Sequence, residues 1–135
     1  MFDDKKLKDF QQLPADNLAY IGDAVYELYI RLMVMSDHDA KAGKLHRYAV
    51  HYARAKFQAN AAVKVQAILD ETEKAVLIRG RNQNVGSMPK NAGIQEYRWA
   101  TGLETLIGYL YLSGDKERLD EVMDFIIKTD ESKQA

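Results

Sequence analysis

Residues 99–112, WATGLETLIGYLYL, hold a single charged side chain, Glu104. Apolar residues there face every direction of a helix, so the segment reads as a helix buried on all sides. Such a helix needs other elements wrapped round it, and the rest of the chain must supply them. That supply is helical too. Val, Ile and Thr nowhere alternate with polar residues for long, and only two prolines occur, Pro14 and Pro89. Apolar residues recur at three and four instead, which predicts an all-α fold.

The first helix is expected to open at Pro14-Ala15-Asp16-Asn17, with Asp16 or Asn17 as N-cap, and to run to about Met35. Ser36 to Asp39 connects it to a second helix over roughly Ala42–Asn60, with Leu45, Ala49, Tyr52, Ala53 and Phe57 as its inner face. Ala61 to Leu69 continues that helix or forms a short one of its own. Asp70-Glu71-Thr72 starts another, over Glu73–Ile78, which Gly80 can end. Residues 79–95 then form one irregular stretch, longer than a usual helix connection. The apolar helix follows, from Ile94 or Gln95 to Leu112, and Ser113-Gly114-Asp115 breaks it. Leu119, Val122, Met123, Ile126 and Ile127 fit one face of a last amphipathic helix. The 135 residues suit a single domain, with an ordered core over about 15–128 and a frayed tail over 129–135.

The chain has no cysteine, which excludes disulfides, zinc-thiolate sites and a thiol nucleophile. No apolar run approaches the roughly 20 residues of a membrane span. MFDDKKLKDF lacks the apolar core of a signal peptide, so a cytoplasmic location is expected. The net charge of −1 argues weakly against a nucleic-acid binder, unless the charge is unevenly distributed.

Glu104 has a counterpart. From Leu18 to Tyr26 the only charge is Asp23. A buried carboxylate must be paired, protonated or bound to a metal, and Mg²⁺ favours carboxylate oxygens. Asp23 also has a plainer reading. Glu27 and Arg31 follow at i+4 and i+8, so the three can form one solvated stripe with a Glu27–Arg31 pair. Glu104 has Ala100, Thr101, Ile107 and Gly108 as helical neighbours, none of them a cation. Gly102 and Gly108 each cost a helix about 1 kcal/mol relative to alanine. That points to a tight helix crossing, or to a site at one.

YIGDAVYE (20–27) resembles the signature helix of the ribonuclease III endonuclease domain, and ATGLETLIGYLYLSGD (100–115) its second acidic helix. RGRN, PKNA and EYRWATGLETLIGYLYL, within 79–112, resemble the compact bacterial branch, Mini-ribonuclease III. The resemblance spans about 15–128, with no room for the double-stranded-RNA-binding domain usually appended. It implies that Asp23 and Glu104 are metal ligands and catalytic. It also implies Mg²⁺, for which Mn²⁺ can substitute, and phosphodiester hydrolysis leaving 5′-phosphate and 3′-hydroxyl ends. The family works as a homodimer whose signature helix helps form the interface, so Tyr20, Tyr26 and Leu28 are candidates to meet a partner. Two acids of the family pattern are replaced, by Ala19 and Thr101. A third acidic position falls on Asp16, where capping is an equal alternative. One firmly held ion per subunit is therefore expected.

Between Lys74 and Gln95 there is no acid. Arg79, Arg81 and Lys90, with the donors Asn82 and Asn91, suit a phosphate-rich ligand. Lys44, Arg47, His51 and Arg54 fall within about one quadrant of the second helix, as an RNA-binding stripe or a solvated face. Arg98 bridges phosphate or pairs with Glu96. A-form duplexes are recognised by shape, 2′-hydroxyls and phosphates. By resemblance alone, the substrate is double-stranded RNA at the paired ends of precursor 23S ribosomal RNA, with assistance from a ribosomal protein. The competing reading is a catalytically silent helical RNA- or ribosome-binding module on the same fold. A carboxylate-bridged di-iron bundle is excluded, because no His lies three residues after any Glu.

Overall fold

The computed structural model describes residues 7, 9–83 and 93–131. Among these residues six α-helices follow one another: α1 (Ala15–Asp37), α2 (Ala42–Ala53), α3 (Ala55–Val65), α4 (Glu71–Arg81), α5 (Ile94–Ser113) and α6 (Lys116–Lys128). Short 3₁₀ turns occupy Phe10–Gln12 and Gln66–Ile68. The described residues contain no strand, and no helix among them is long and apolar enough to cross a membrane. The all-α expectation holds.

Helix α5 is the central element, packed by α1, α3, α4 and α6. Ala100, Gly102, Leu103, Thr105, Leu106, Ile107, Gly108 and Leu110 are all buried, as an all-round apolar sequence requires. Gly114, at φ 80°, closes the helix in the left-handed conformation that glycine adopts without penalty. Helix α6 buries Leu119, Val122, Met123 and Ile126, and Asp115 caps it by accepting from the Arg118 N–H at 3.1 Å.

Helix α1 departs from the sequence reading at its first turn. Its N-cap is Pro14, and Asp16 lies inside the first turn, where a carboxylate complements the helix dipole. The helix is not buried all round. Leu18, Gly22, Val25, Tyr26, Ile30 and Val34 face the core, whereas Tyr20, Asp23, Glu27, Leu28 and Arg31 are exposed.

The helix expected over 42–60 is two helices. Arg54 adopts an extended backbone, φ −69° and ψ 140°, between α2 and α3. The reason lies in packing. Tyr52 and Phe57 are five residues apart, so one continuous helix would aim them about 140° apart. The break lets both enter the core and meet edge to face at 5.0 Å. Ala53, expected on the inner face, is exposed.

Helix α4 begins with a capping box. Asp70 accepts from the Glu73 N–H at 2.8 Å, and Glu73 accepts from the Asp70 N–H at 2.9 Å. Gly80 does not end this helix. A β-carbon at position 80 would stand 2.3 Å from Thr105 Oγ1, so the missing side chain is a packing requirement against α5. Gly102 answers from the other side, where a β-carbon would stand 2.7 Å from the Leu77 carbonyl oxygen.

The tail expected to fray from Thr129 is held at Asp130. This residue is 4% exposed and accepts from the Tyr52 hydroxyl at 2.7 Å, with His51 Nε2 at 3.0 Å. Residues 132–135 lie outside the described residues.

Candidate active site

The site is made where α1 crosses α5. A β-carbon on Gly22 would stand 1.8 Å from the Glu104 carbonyl oxygen, and one on Gly108 would stand 1.9 Å from the Leu18 carbonyl oxygen. Two glycines thus bring the helix backbones into contact. Asp23 follows Gly22, and it lines one cleft with Glu104 at the crossing.

The electrostatics follow from that placement. Asp23 is exposed and Glu104 half-buried. Burial, then the hydrogen-bonding and charge of the neighbouring Asp23 carboxylate, push the Glu104 pKa up to about 9. Both groups line an open cleft of about 310 Å³. Ala19 and Thr101, which stand in for two family acids, line the same cleft, and so does Asp16. Asp16 Oδ1 accepts from the Asn17 N–H at 3.0 Å. The Thr101 hydroxyl donates to the Tyr97 carbonyl at 3.0 Å.

Two oxygen-rich groups of like charge, open to water on one side, fit a hard divalent cation that keeps several waters. Glu104 would then exchange its proton for the metal, whose charge would take over from the proton in keeping the two carboxylates together. Among the described residues no three acidic or histidine side chains come together for a metal. The protein-held set is therefore smaller than a closed cage of carboxylates.

The predicted RNA-contacting residues separate. Lys44 and Arg47 are exposed on α2. His51 is engaged with Asp130, and Arg54 stands at the α2–α3 break, so the single stripe is interrupted. Arg79 donates to the carbonyls of Leu13 at 3.0 Å and Gln11 at 3.5 Å, which ties α4 to the segment before α1. The Arg81 guanidinium lies 4.6 Å from the centre of the Trp99 ring and donates to Asn82 Oδ1 at 3.0 Å. Arg98 is half-buried, with Nε unpaired among the described residues. Lys90 and Asn91 lie outside the described residues. Gln83, which the sequence reading passed over, lines the cleft with Asp23 and Glu104.

Tyr26 is not available to a partner. It is 2% exposed, donates to the Tyr52 carbonyl at 2.5 Å, and has its pKa raised, first by burial and then by the Glu104 charge. Tyr20 is 84% exposed, and Leu28, Leu32 and Met35 are exposed along the same helix. Glu27 and Arg31 form the expected pair, at 2.6 Å.

An all-helical domain with two carboxylates in one cleft at a glycine crossing suits metal-assisted hydrolysis of a phosphodiester. Residues 16–115 match the Ribonuclease III domain. A Mini-ribonuclease 3 of Clostridium tetani is 45% identical over 121 residues, covering 89% of this chain and 80% of that one. A Mini-ribonuclease 3 of Enterococcus faecalis is 44% identical, covering 90% and 94%. A crystal structure of a Fusobacterium nucleatum protein superposes with a TM-score of 0.79 at 30% identity, covering 90% of this chain and 98% of that one. The chain belongs to the ribonuclease III family of endoribonucleases, in its Mini-ribonuclease 3 group.

Proposed function

We propose that this protein is a Mg²⁺-dependent, double-strand-specific endoribonuclease of the cytoplasm. On this reading it matures the ends of precursor 23S ribosomal RNA and leaves 5′-phosphate and 3′-hydroxyl termini. The observation that carries the reading is the shared cleft lined by Asp23 and Glu104 where α1 crosses α5. A divalent cation there supplies charge stabilisation on the scissile phosphate and acidifies water. Asp23 and Glu104 hold the cation. A water oxygen would bond to phosphorus as the bond to O3′ breaks, the water giving up a proton and O3′ taking one up to leave as the 3′-hydroxyl.

The protein acts as a homodimer in this reading, one site for each strand. The exposed Tyr20, Leu28, Leu32 and Met35 on α1 support an interface on that helix, in which Tyr26 takes no part. Lys44 and Arg47 are the cations of the predicted set best placed for phosphate contact, being exposed on α2. Assistance by a ribosomal protein belongs to the same reading. The test is incubation of the protein and its Asp23→Asn variant with long duplex RNA, in Mg²⁺ and in EDTA. Mg²⁺-dependent cleavage that the variant lacks supports the reading. Duplex retention in a shift assay without cleavage by any form supports the silent binding module instead.

A further inference from the structure

Asp23 lines two clefts. One is shared with Glu104, and the other lies between α1 and α2. The second encloses about 270 Å³, with Asp23, Glu27 and Arg31 lining it from α1 and His46 from α2. Ile30, Ala49 and Val50 make much of its wall apolar, so its few polar groups decide what it holds. Glu27 is already neutralised, because Arg31 pairs with it at 2.6 Å. His46 is uncommitted. Its imidazole is exposed, and none of the described residues hydrogen-bonds or pairs with it. His46 also lines a further cavity of about 340 Å³, which extends the groove along α1 to Val34 and Met35. Lys44 and Arg47, the exposed cations of α2, flank it in sequence. A groove thus leads away from Asp23, and a free N–H donor stands on its α2 wall.

We propose that His46 donates a ring N–H to a phosphate of the cleaved RNA strand next to the scissile one, so that the strand leaves the metal cleft along the groove between α1 and α2. The inference rests on the endoribonuclease reading of Asp23 and Glu104. Phosphate is the chemistry that fits. An imidazole offers one N–H when neutral and two when protonated, so it serves an anion in either state. Arg31 spends one N–H on Glu27 and keeps others for the same groove. With a divalent cation at Asp23 and Arg31 on Glu27, both acids of the groove are compensated. Contacts of this kind fix the register of a strand without reading its sequence.

The experiment compares cleavage kinetics of a short duplex RNA in Mg²⁺ with retention of the same duplex in a shift assay in EDTA. His46→Ala is expected to raise KM about tenfold with kcat nearly unchanged, and to weaken retention by a similar factor, because one hydrogen bond to a charged group is lost. Its melting temperature should equal that of the wild type, since the fold makes no use of the ring. His46→Gln keeps an N–H at a reach close to that of Nε2 and is expected to recover most of the loss. Equal retention in His46→Ala and the wild type overturns the proposal. So does a fall in kcat with KM unchanged, and so does a His46→Gln that binds no better than His46→Ala. If the wild type does not cleave, retention in EDTA decides. Asp23→Asn separates the two claims: cleavage at the wild-type rate in that variant overturns the metal reading of the first cleft, while the His46 contact is still judged by retention.

Discussion

Gly22 lies against the backbone of Glu104 so closely that a β-carbon at position 22 would stand 1.8 Å from the carbonyl oxygen. No rotamer change relieves a clash between a β-carbon and a backbone atom. Gly22→Ala must push α1 away from α5. The expected cost is about 3 kcal/mol or more, read by denaturant unfolding, together with loss of cleavage because Asp23 moves away from Glu104. Gly43→Ala is the control. Nothing lies within 4 Å of a β-carbon there, and the change should be neutral or slightly stabilising.

The two acids carry the chemistry in the proposed reading. Asp23→Asn and Glu104→Gln should each lower the rate of duplex RNA cleavage by at least about a hundredfold, since a bound metal supplies several kcal/mol of charge stabilisation. Circular dichroism should show the helical content unchanged. Normal turnover in either variant would remove that residue from the site.

The raised pKa of Glu104 makes a prediction about the metal-free protein. The group titrates near 4.5 in an unfolded chain and near 9 in the fold. Below about pH 4.5 it is protonated in both states and contributes its full share of stability. Between the two values folding must hold a proton that the unfolded chain has released, so stability falls as pH rises towards 9. In EDTA, the melting temperature of Glu104→Gln should therefore fall less than that of the wild type between pH 5 and pH 8.

Arg118 ties α6 to the start of α4. It donates to Glu73 Oε1 at 2.7 Å and Oε2 at 2.9 Å, and to the Ile68 carbonyl at 2.6 Å. Glu73 is 5% exposed, and Arg118 holds its carboxyl below the ordinary glutamate range. Arg118→Ala leaves that carboxylate buried without its cation, at an expected cost of about 3 kcal/mol. Thermal melts should show the deficit at neutral pH and less of it in acid, where Glu73 is protonated.

Leu28 and Leu32 project from the open face of α1. If that face is the homodimer interface, Leu28→Asp should shift the protein towards monomer in sedimentation velocity. Its melting temperature at high dilution should stay close to that of the wild type. A wild-type monomer at all concentrations would set the interface aside.

The central helix and its carboxylate were legible because an all-round apolar sequence has one stable environment. Pairing Glu104 with Asp23 needed the family resemblance, since the stretch 20–27 reads equally well as a solvated stripe. The Arg54 break had no local signal. It exists because Tyr52 and Phe57 both reach the core, which is a tertiary demand. Gly80 sent a true signal with two meanings, helix stop or close packing, and Thr105 decides for packing. Arg79 shows what composition misses. It sits in an acid-free region suited to phosphate, but the carbonyls of Leu13 and Gln11 take two of its N–H donors for the fold.

The contact of Asp130 with Tyr52 joins positions 78 residues apart. On a translating ribosome, α2 emerges long before the residue that fastens its far end. Four more helices must be synthesised before Asp130 can reach His51 and Tyr52. Contacts of such long range form late. The nascent chain thus carries α2, with its exposed Lys44 and Arg47, without this fastening until Asp130 has emerged.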